Sequence, residues 1–253
     1  MTTRPVALVT GAGDRIGAAI ARRLARDGWA VVVHYRNSRD KAEAVAAGIR
    51  KGGGRADIVA ADLADRSERG GLIEAASALF GPLTLLVNNA SLFERDAAHD
   101  LDEGLWDAHF AVHAEAPAFL ARDFAAQLPA DVAGNIVNII DERVLDLSPA
   151  FFSYTLSKCV LWTMTRTLAQ SFAPRIRVNA VAPGPTVPPP DVSPEIHARR
   201  IDELPLGYSA DPDGIADGVA AILALPAMTG QMITLDGGEH IEWPARRGPT
   251  PRR

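Results

Sequence analysis

An alternation of segment types constrains this chain most. Short runs rich in Val, Ile and Leu are separated by longer Ala-rich segments: VALVT, AIARRLARDG, AVVVHY, DKAEAVAAGIRKGGG, ADIVAAD, LIEAASALFG and LTLLVNNA follow one another up to Ala90. The short runs read as strands buried on both faces and the Ala-rich segments as helices. A β-α-β-α-β-α-β order implies a parallel sheet covered by helices on both faces, with right-handed crossovers and ligands at the carboxyl ends of the strands. After Ala90 a polar loop precedes a long helical stretch, about Leu101 to Leu128. GNIVNII then reads as a fifth strand, a helix carrying LSKCVLWTMTRTLAQSF follows, and RIRVNAV and QMITLD supply a sixth and a seventh strand. The expected fold class is α/β, a doubly wound parallel sheet of about seven strands. Between the last two strands lies APGPTVPPPDVSPE, whose five prolines from Pro183 to Pro190 forbid a helix or a central strand there. A long loop at a strand's carboxyl end reads as a lid.

Composition narrows the function. A chain of 253 residues that is 47% hydrophobic buries a sizeable core, and α/β folds of this size commonly form one domain. Residues 1–242 are expected to form that domain and 243–253, at the Arg-rich end, an unpacked tail. Lys and Arg number 26 against 31 Asp and Glu, and the net charge of -5 argues against nucleic acid or an anionic membrane as partner, leaving a small molecule. No apolar run approaches the roughly 20 residues that span a bilayer, and the first residues run into a strand rather than a signal segment, so the cytoplasm is the expected location. The single cysteine, Cys159, excludes an intrachain disulfide and a cysteine-built zinc site, and no metal is expected.

TGAGDRIG, Thr10 to Gly17, follows the first strand directly and opens the first helix, the context that a dinucleotide-binding turn requires. Gly11 and Gly13 allow a tight turn and close approach to a pyrophosphate, Gly17 allows close packing of helix on sheet, and the helix N-terminus attracts the anion. The bland alternative is an ordinary glycine-rich turn. At the end of the second strand an acid would bind a ribose 2′-hydroxyl, whereas a cation accommodates a 2′-phosphate. The chain there reads VVVHYRNS, with no acid before Asp40. His34, Arg36 and Ser38 can donate to phosphate oxygens and Arg15 can add a second guanidinium, so NADPH is expected over NADH. The alternative for Arg15 and Arg36 is a pair of solvated surface charges.

Tyr154 and Lys158, in SYTLSK, stand one helical turn apart, so an ammonium can stabilise a phenolate on the same face. Together these motifs resemble the short-chain dehydrogenase/reductase family from about Pro5 to Gly238. TGAGDRIG is similar to its TGxxxGxG loop, Asn88–Ala90 to its NNAG, YTLSK to its YxxxK, Pro183–Gly184 to its post-strand turn and LDGG to its terminus. The resemblance implies a Rossmann-type, usually tetrameric subunit. In it the tyrosine transfers a proton, while the lysine binds the nicotinamide ribose and lowers the tyrosine pKa. It also implies cofactor contacts from Gly11, Gly13, Arg15, Ile16, Gly17, His34, Arg36, Asn37, Ser38, Asp62, Leu63, Asn89, Ala90, Ser91, Tyr154, Lys158, Pro183, Gly184 and Thr186.

Three departures narrow the branch: Asp141 stands where the family has serine, His113 where it has asparagine, and Arg15 replaces the second glycine of the loop. With HYRNS and NNASLF, Asp141 and Arg15 look like the pteridine reductase and dihydromonapterin reductase branch. There a serine equivalent to Ser91 contacts cofactor and an aromatic equivalent to Phe93 stacks the pterin. His113 either replaces the asparagine that holds a water relay or is a satisfied core histidine.

A serine hydroxyl can hydrogen-bond a ketone, but a carboxylate can take up and pass on a proton. Reducing a dihydropterin adds hydride to a C=N carbon and a proton to ring nitrogen, which suits an acid linked to tyrosine. The alternative for Asp141 is a cap or a salt bridge with Arg143. The expected function is an NADPH-dependent pterin reductase, of dihydromonapterin or biopterin type with dihydrofolate as a secondary substrate. Asp141, Tyr154 and Lys158 are its catalytic residues, and Phe93, Asp141 and Tyr154 its substrate contacts. Two rivals stand beside it: a carbonyl reductase of a sugar, steroid or acyl ketone, and an NADPH-binding sensor without turnover.

Overall fold

The computed structural model describes residues 5–188 and 192–241. The expected tail, 243–253, and two of the lid prolines, 189 and 190, lie outside the described residues. The seven expected strands form one sheet: β1 (Val6–Val9), β2 (Ala30–Tyr35), β3 (Arg55–Ala60), β4 (Leu85–Asn88), β5 (Gly134–Ile139), β6 (Ile176–Pro183) and β7 (Met232–Leu235). Their order is β3-β2-β1-β4-β5-β6-β7 and every pairing is parallel. The chain winds outward from β1 to β3, then crosses back to place β4 on the other side of β1. This reversal opens a crevice at the carboxyl ends of β1 and β4, where ligands of doubly wound sheets bind.

Alternation along each strand fills a core on either face. Ala7, Val9, Val31, Val33 and Val87 point toward α1 (Arg15–Arg26), α2 (Arg39–Lys51) and a late helix carrying Ile215 and Val219. Val6, Leu8, Val32 and Leu86 point the other way, toward Leu72, Leu120 and Phe124. A one-residue slip of register would exchange the two cores, so the pairing is strongly specified.

The helix expected over LIEAASALFG forms, and three further helices accompany it. α3 (Arg66–Gly70) precedes α4 (Leu72–Phe80), and α8 (Pro194–Asp202) and α9 (Pro212–Ala224) lie between β6 and β7, where only a loop was expected. Parallel β6 and β7 cannot be joined without a crossover, and α9 supplies it. Its start is marked by Asp211, whose side chain accepts the Gly214 N–H at 2.8 Å, and by Pro212 in the first turn.

The long helix expected over Leu101–Leu128 is divided. α5 (Glu103–Phe110) passes through a π-helical turn, Ala111–Glu115, into α6 (Ala116–Gln127). Pro117 has no N–H to give to the preceding turn, and Ala116 instead donates to the Ala111 carbonyl, one residue further back than in an α-helix. The π-turn carries His113 toward the helix that bears Tyr154, α7 (Phe152–Phe172). Among the described residues no helix is long and apolar enough to cross a membrane, and no cluster of three or more His, Cys, Asp or Glu could hold a metal.

Candidate active site

The glycine loop leaves β1 at Thr10 and turns through Gly11, whose φ of +62° suits glycine. A Cβ at Gly11 would lie 2.8 Å from the Ala90 Cα, and one at Gly17 would collide with the Gly11 carbonyl and the Asn89 amide. The loop after β4 is tied to this turn. The Thr10 hydroxyl accepts the N–H groups of Asn89 and Ala90 at 2.9 and 3.0 Å, and the Asn89 side chain donates to the carbonyls of Thr10 and Gly11. The glycines therefore serve close approach of two backbones at the switch point, and Gly13 likewise meets α2 at Ala42.

The expected phosphate ligands divide into two groups. Arg36, Asn37 and Ser38 are exposed, and none of their side chains makes a hydrogen bond or ion pair among the described residues. Ser38 is the N-cap of α2 yet makes no side-chain capping bond, so its hydroxyl and the helix N-terminus are available to an anion. Arg15, with φ +50°, instead donates to the carbonyls of Val187 and Pro188 at 2.9 and 3.3 Å, tying the glycine loop to the segment after β6.

His34 does not belong with the phosphate ligands, which corrects the expectation for it. It is 2% exposed. Its Nδ1 accepts the Gly11 N–H and its Nε2–H donates to the Ala61 carbonyl, both at 3.0 Å. Burial lowers its pKa to about 4, so it is a neutral brace joining the glycine loop to the end of β3. Next to Ala61, Asp62 accepts the Ala64 N–H at 2.9 Å and Leu63 is buried, forming the floor on this side. On the far side Gly184 lies against Asp236, and the Thr186 hydroxyl donates to the Gly184 carbonyl at 3.2 Å, ordering the turn after Pro183. Ile16 stands in the first turn of α1, and the exposed donors of Arg36, Asn37 and Ser38 at the start of α2 are of the kind that suits a phosphorylated dinucleotide.

β5 ends at Ile139, and two residues on stands Asp141. The Tyr154 hydroxyl donates to Asp141 Oδ2 at 2.7 Å, while Oδ1 accepts the Arg143 N–H at 3.0 Å and lies 3.9 Å from its guanidinium. Both readings of this aspartate are thus present, one on each oxygen: it caps the short 3₁₀ turn Glu142–Val144 and it holds the tyrosine. Lys158, 2% exposed, donates to the Ile139 carbonyl at 3.0 Å with its ammonium 5.6 Å from the Tyr154 ring. Burial brings the lysine down to about 8. The tyrosine shifts the other way from the family expectation. Burial first, and then the adjacent Asp141 carboxylate, hold the phenol well above its ordinary value. In the protein alone, Tyr154 keeps its proton.

The substrate side is built from contacts distant in sequence. The Leu92 N–H donates to His113 Nε2 at 3.1 Å, which places the ring proton on Nδ1, and Nδ1–H donates to Ser157 at 2.9 Å. Ser157 donates to the Tyr154 carbonyl at 2.7 Å, and the Ser91 hydroxyl sits 3.0 Å from His113 Nε2. His113 is buried and, chiefly through that burial, held neutral, so the satisfied-histidine reading describes it. Its role is to fasten the Ser91–Phe93 loop to the catalytic helix.

Phe93, 36% exposed, stacks on Phe151 with ring centroids 4.3 Å apart and meets Tyr154 edge-on at 4.8 Å. Phe151 was not singled out from the sequence. It precedes α7 in the left-handed region, φ 58°, which is strained for an aromatic residue. Asp96, also unforeseen, holds it there: its carbonyl accepts the Phe151 N–H at 2.9 Å and its carboxylate accepts the N–H and hydroxyl of Ser153, capping α7 from a remote loop. The missing side-chain cap at the start of α7 is the only sequence signal for that partner.

Comparison with known proteins places this cleft among relatives. A family model described as short chain dehydrogenase matches residues 5–196. An uncharacterized oxidoreductase of Methylorubrum extorquens is 39% identical over 242 residues, covering 92% of this chain and 96% of that protein. Among solved structures, FolM alternative dihydrofolate reductase 1 from Brucella canis, complexed with NADP, is 48% identical with a TM-score of 0.92, covering 99% of this chain and 98% of that one. The Brucella suis protein of the same description, also in complex with NADP, is 48% identical with a TM-score of 0.93, at 99% coverage of both chains.

Proposed function

The chain belongs to the short-chain dehydrogenase family and is an oxidoreductase of that family, and within it we propose an NADPH-dependent reductase of pterins, of dihydromonapterin or biopterin type, with dihydrofolate as a further substrate. One observation carries this reading: a carboxylate, Asp141, 2.7 Å from the Tyr154 hydroxyl, where a ketone reductase needs only a hydroxyl. The 48% identity to two alternative dihydrofolate reductases solved with NADP supports both substrate class and cofactor.

In this reading the glycine loop holds the pyrophosphate, Arg36 and Ser38 take the 2′-phosphate, and Lys158 binds the ribose beside the nicotinamide. When bound, the reduced nicotinamide supplies the hydride. Phe93 presents a flat apolar face that orients the pterin ring. The substrate C=N bond becomes C–N as carbon receives the hydride and nitrogen receives a proton from the Tyr154–Asp141 pair. The pair holds a single proton between its two oxygens; giving it up leaves a phenolate beside a carboxylate, an unfavourable state that the buried Lys158 ammonium eases and that ends when solvent water returns a proton to the pair. A ketone reduction would not call for that second group.

The test is to mix the protein with NADPH and follow loss of nicotinamide absorbance with a panel of dihydropterins, dihydrofolate and ketones. Pterin turnover supports the proposal. Turnover of ketones alone would favour a carbonyl reductase, and NADPH binding without any turnover a sensor. The homotetramer that the family suggests is part of the same proposal, and sedimentation of the full chain tests it.

A further inference from the structure

Arg143 stands beside the Tyr154–Asp141 pair, tied to Asp141 by its backbone N–H and by a long ion pair, and none of the sequence motifs accounts for its guanidinium. Its side chain is 13% exposed. Its guanidinium approaches Asp141 Oδ1 only at 3.9 Å and donates no side-chain hydrogen bond among the described residues. Its Cζ stands 5.1 Å from the centre of the Phe151 ring and 6.0 Å from that of Phe93. The backbone on either side is fixed, by the Asp141 cap on one hand and the strained Phe151 on the other. The Asp141 pair and the two ring faces hold the guanidinium in place while its N–H groups have no hydrogen-bond acceptor among the described residues, so they can serve an acceptor on a molecule bound here.

The chemistry of a pterin supplies them in the right place. Each pyrazine nitrogen has a pyrimidine acceptor beside it across the ring fusion: the 4-oxo group neighbours N5, and N1 neighbours N8. Whichever nitrogen receives the proton from Tyr154 and Asp141, an acceptor of the second ring lies beside it, and Arg143 is the cation next to that acid. A simple ketone has no such second acceptor and would leave the fork empty. Resting on the pterin reading above, we propose that Arg143 is a specificity-determining residue that hydrogen-bonds the pyrimidine acceptor adjacent to the protonated nitrogen of a pterin ring.

The position beside Asp141 and over the aromatic wall assigns Arg143 to the ring rather than to the tail of a folate. Arg95, exposed and 5.7 Å from the Phe151 ring, stands further out.

Arg143→Met and Arg143→Lys, assayed with a 7,8-dihydropterin of uncharged side chain and with dihydrofolate, test this. In the Met variant KM should rise roughly 10–100-fold for both substrates, the loss expected when a charge-assisted pair is left unmade. NADPH affinity and melting temperature should stay near wild type. The Lys variant keeps the charge but not the fork and should recover only part of the loss; should the Met variant fail to fold, the raised KM of the Lys variant carries the same reading. A Met variant with wild-type KM, full rescue by Lys, or a loss confined to dihydrofolate would each overturn the assignment while leaving the pterin reaction standing. Wild-type protein that turns over no pterin would remove both.

Discussion

The cofactor side of the cleft and its substrate side are held by different kinds of contact. On the cofactor side, backbone meets backbone: glycines let the β1 and β4 loops approach, Thr10 accepts two N–H groups of the opposite loop, and His34 braces the turn from below. On the substrate side, single side chains span long stretches of sequence: His113 to Leu92 and Ser157, Asp96 to Ser153, and Asp141 to Tyr154. The first construction rests on the glycines and on two bracing side chains, Thr10 and His34. The second changes its chemistry with one substitution, which is how one fold can serve different substrates.

The largest expected difference between the two sides comes from Tyr154→Phe. It removes the hydroxyl and keeps the ring against Phe93, so pterin turnover should fall by roughly 10²-fold or more with NADPH affinity little changed. A variant that binds NADPH poorly, as measured by titration, would mean that the two sides are not separable at this residue.

His113→Leu tests whether the substrate side hangs on one imidazole. The change leaves the Leu92 N–H without its acceptor and frees the Ser91–Phe93 loop, at about 1–3 kcal/mol for the unmet bond. The expected result is a lower melting temperature and roughly tenfold lower kcat/KM for the pterin, with the NADPH dissociation constant unmoved. Equal weakening of NADPH would show that the loop serves both sides.

On the cofactor side, wild-type protein should prefer NADPH to NADH at least tenfold, about 1.4 kcal/mol. Neutralising Arg15 and Arg36 together should erase most of that preference. Arg36→Ala alone should carry the larger share, because Arg15 is engaged by the carbonyls of Val187 and Pro188. His34→Leu should behave differently, weakening both nicotinamide cofactors alike by loosening the glycine loop. Dissociation constants for the two cofactors decide among these.

The smallest effect is one of stability. Glu142, 4% exposed, has a carboxyl pushed up to about 8 by burial, with the charges of Asp141 and Glu239 adding to the shift. Between pH 4.5, its ordinary value, and about 8 the folded protein holds this proton more tightly than the unfolded chain, so its contribution is complete below pH 4.5 and lost as pH rises through 8. Glu142→Gln should therefore raise the melting temperature by a few degrees at pH 8 and make little difference at pH 4.5. An unchanged difference across that range would place the carboxyl in water.

What could be read from the chain follows the same division. The seven strands, the glycine turn and the YxxxK pair are local patterns, and each stands where expected because its information lies within a few residues. The π-turn at Ala111–Glu115 was foreshadowed only by Pro117, and α8 and α9 were hidden because a proline cluster dominated the reading of that segment. His34 misled because a histidine at a strand end looks exposed until the neighbouring loops close over it. Asp96, Phe151 and the His113 network depend on tertiary contacts across tens of residues, which no spacing encodes.

The central claim is that the carboxylate of Asp141 makes this cleft a pterin reductase, and Asp141→Asn tests it most directly. The amide keeps the shape and can still accept from Tyr154 but cannot carry the proton. The measurement is kcat/KM for a dihydropterin, taken beside the NADPH dissociation constant and the melting temperature. The account predicts a loss of roughly 10²-fold in pterin turnover with NADPH binding intact, and Asp141→Ser should leave pterin turnover equally low. A variant that loses about 1 kcal/mol of stability as a missing cap would, yet reduces the pterin at the wild-type rate, would contradict it.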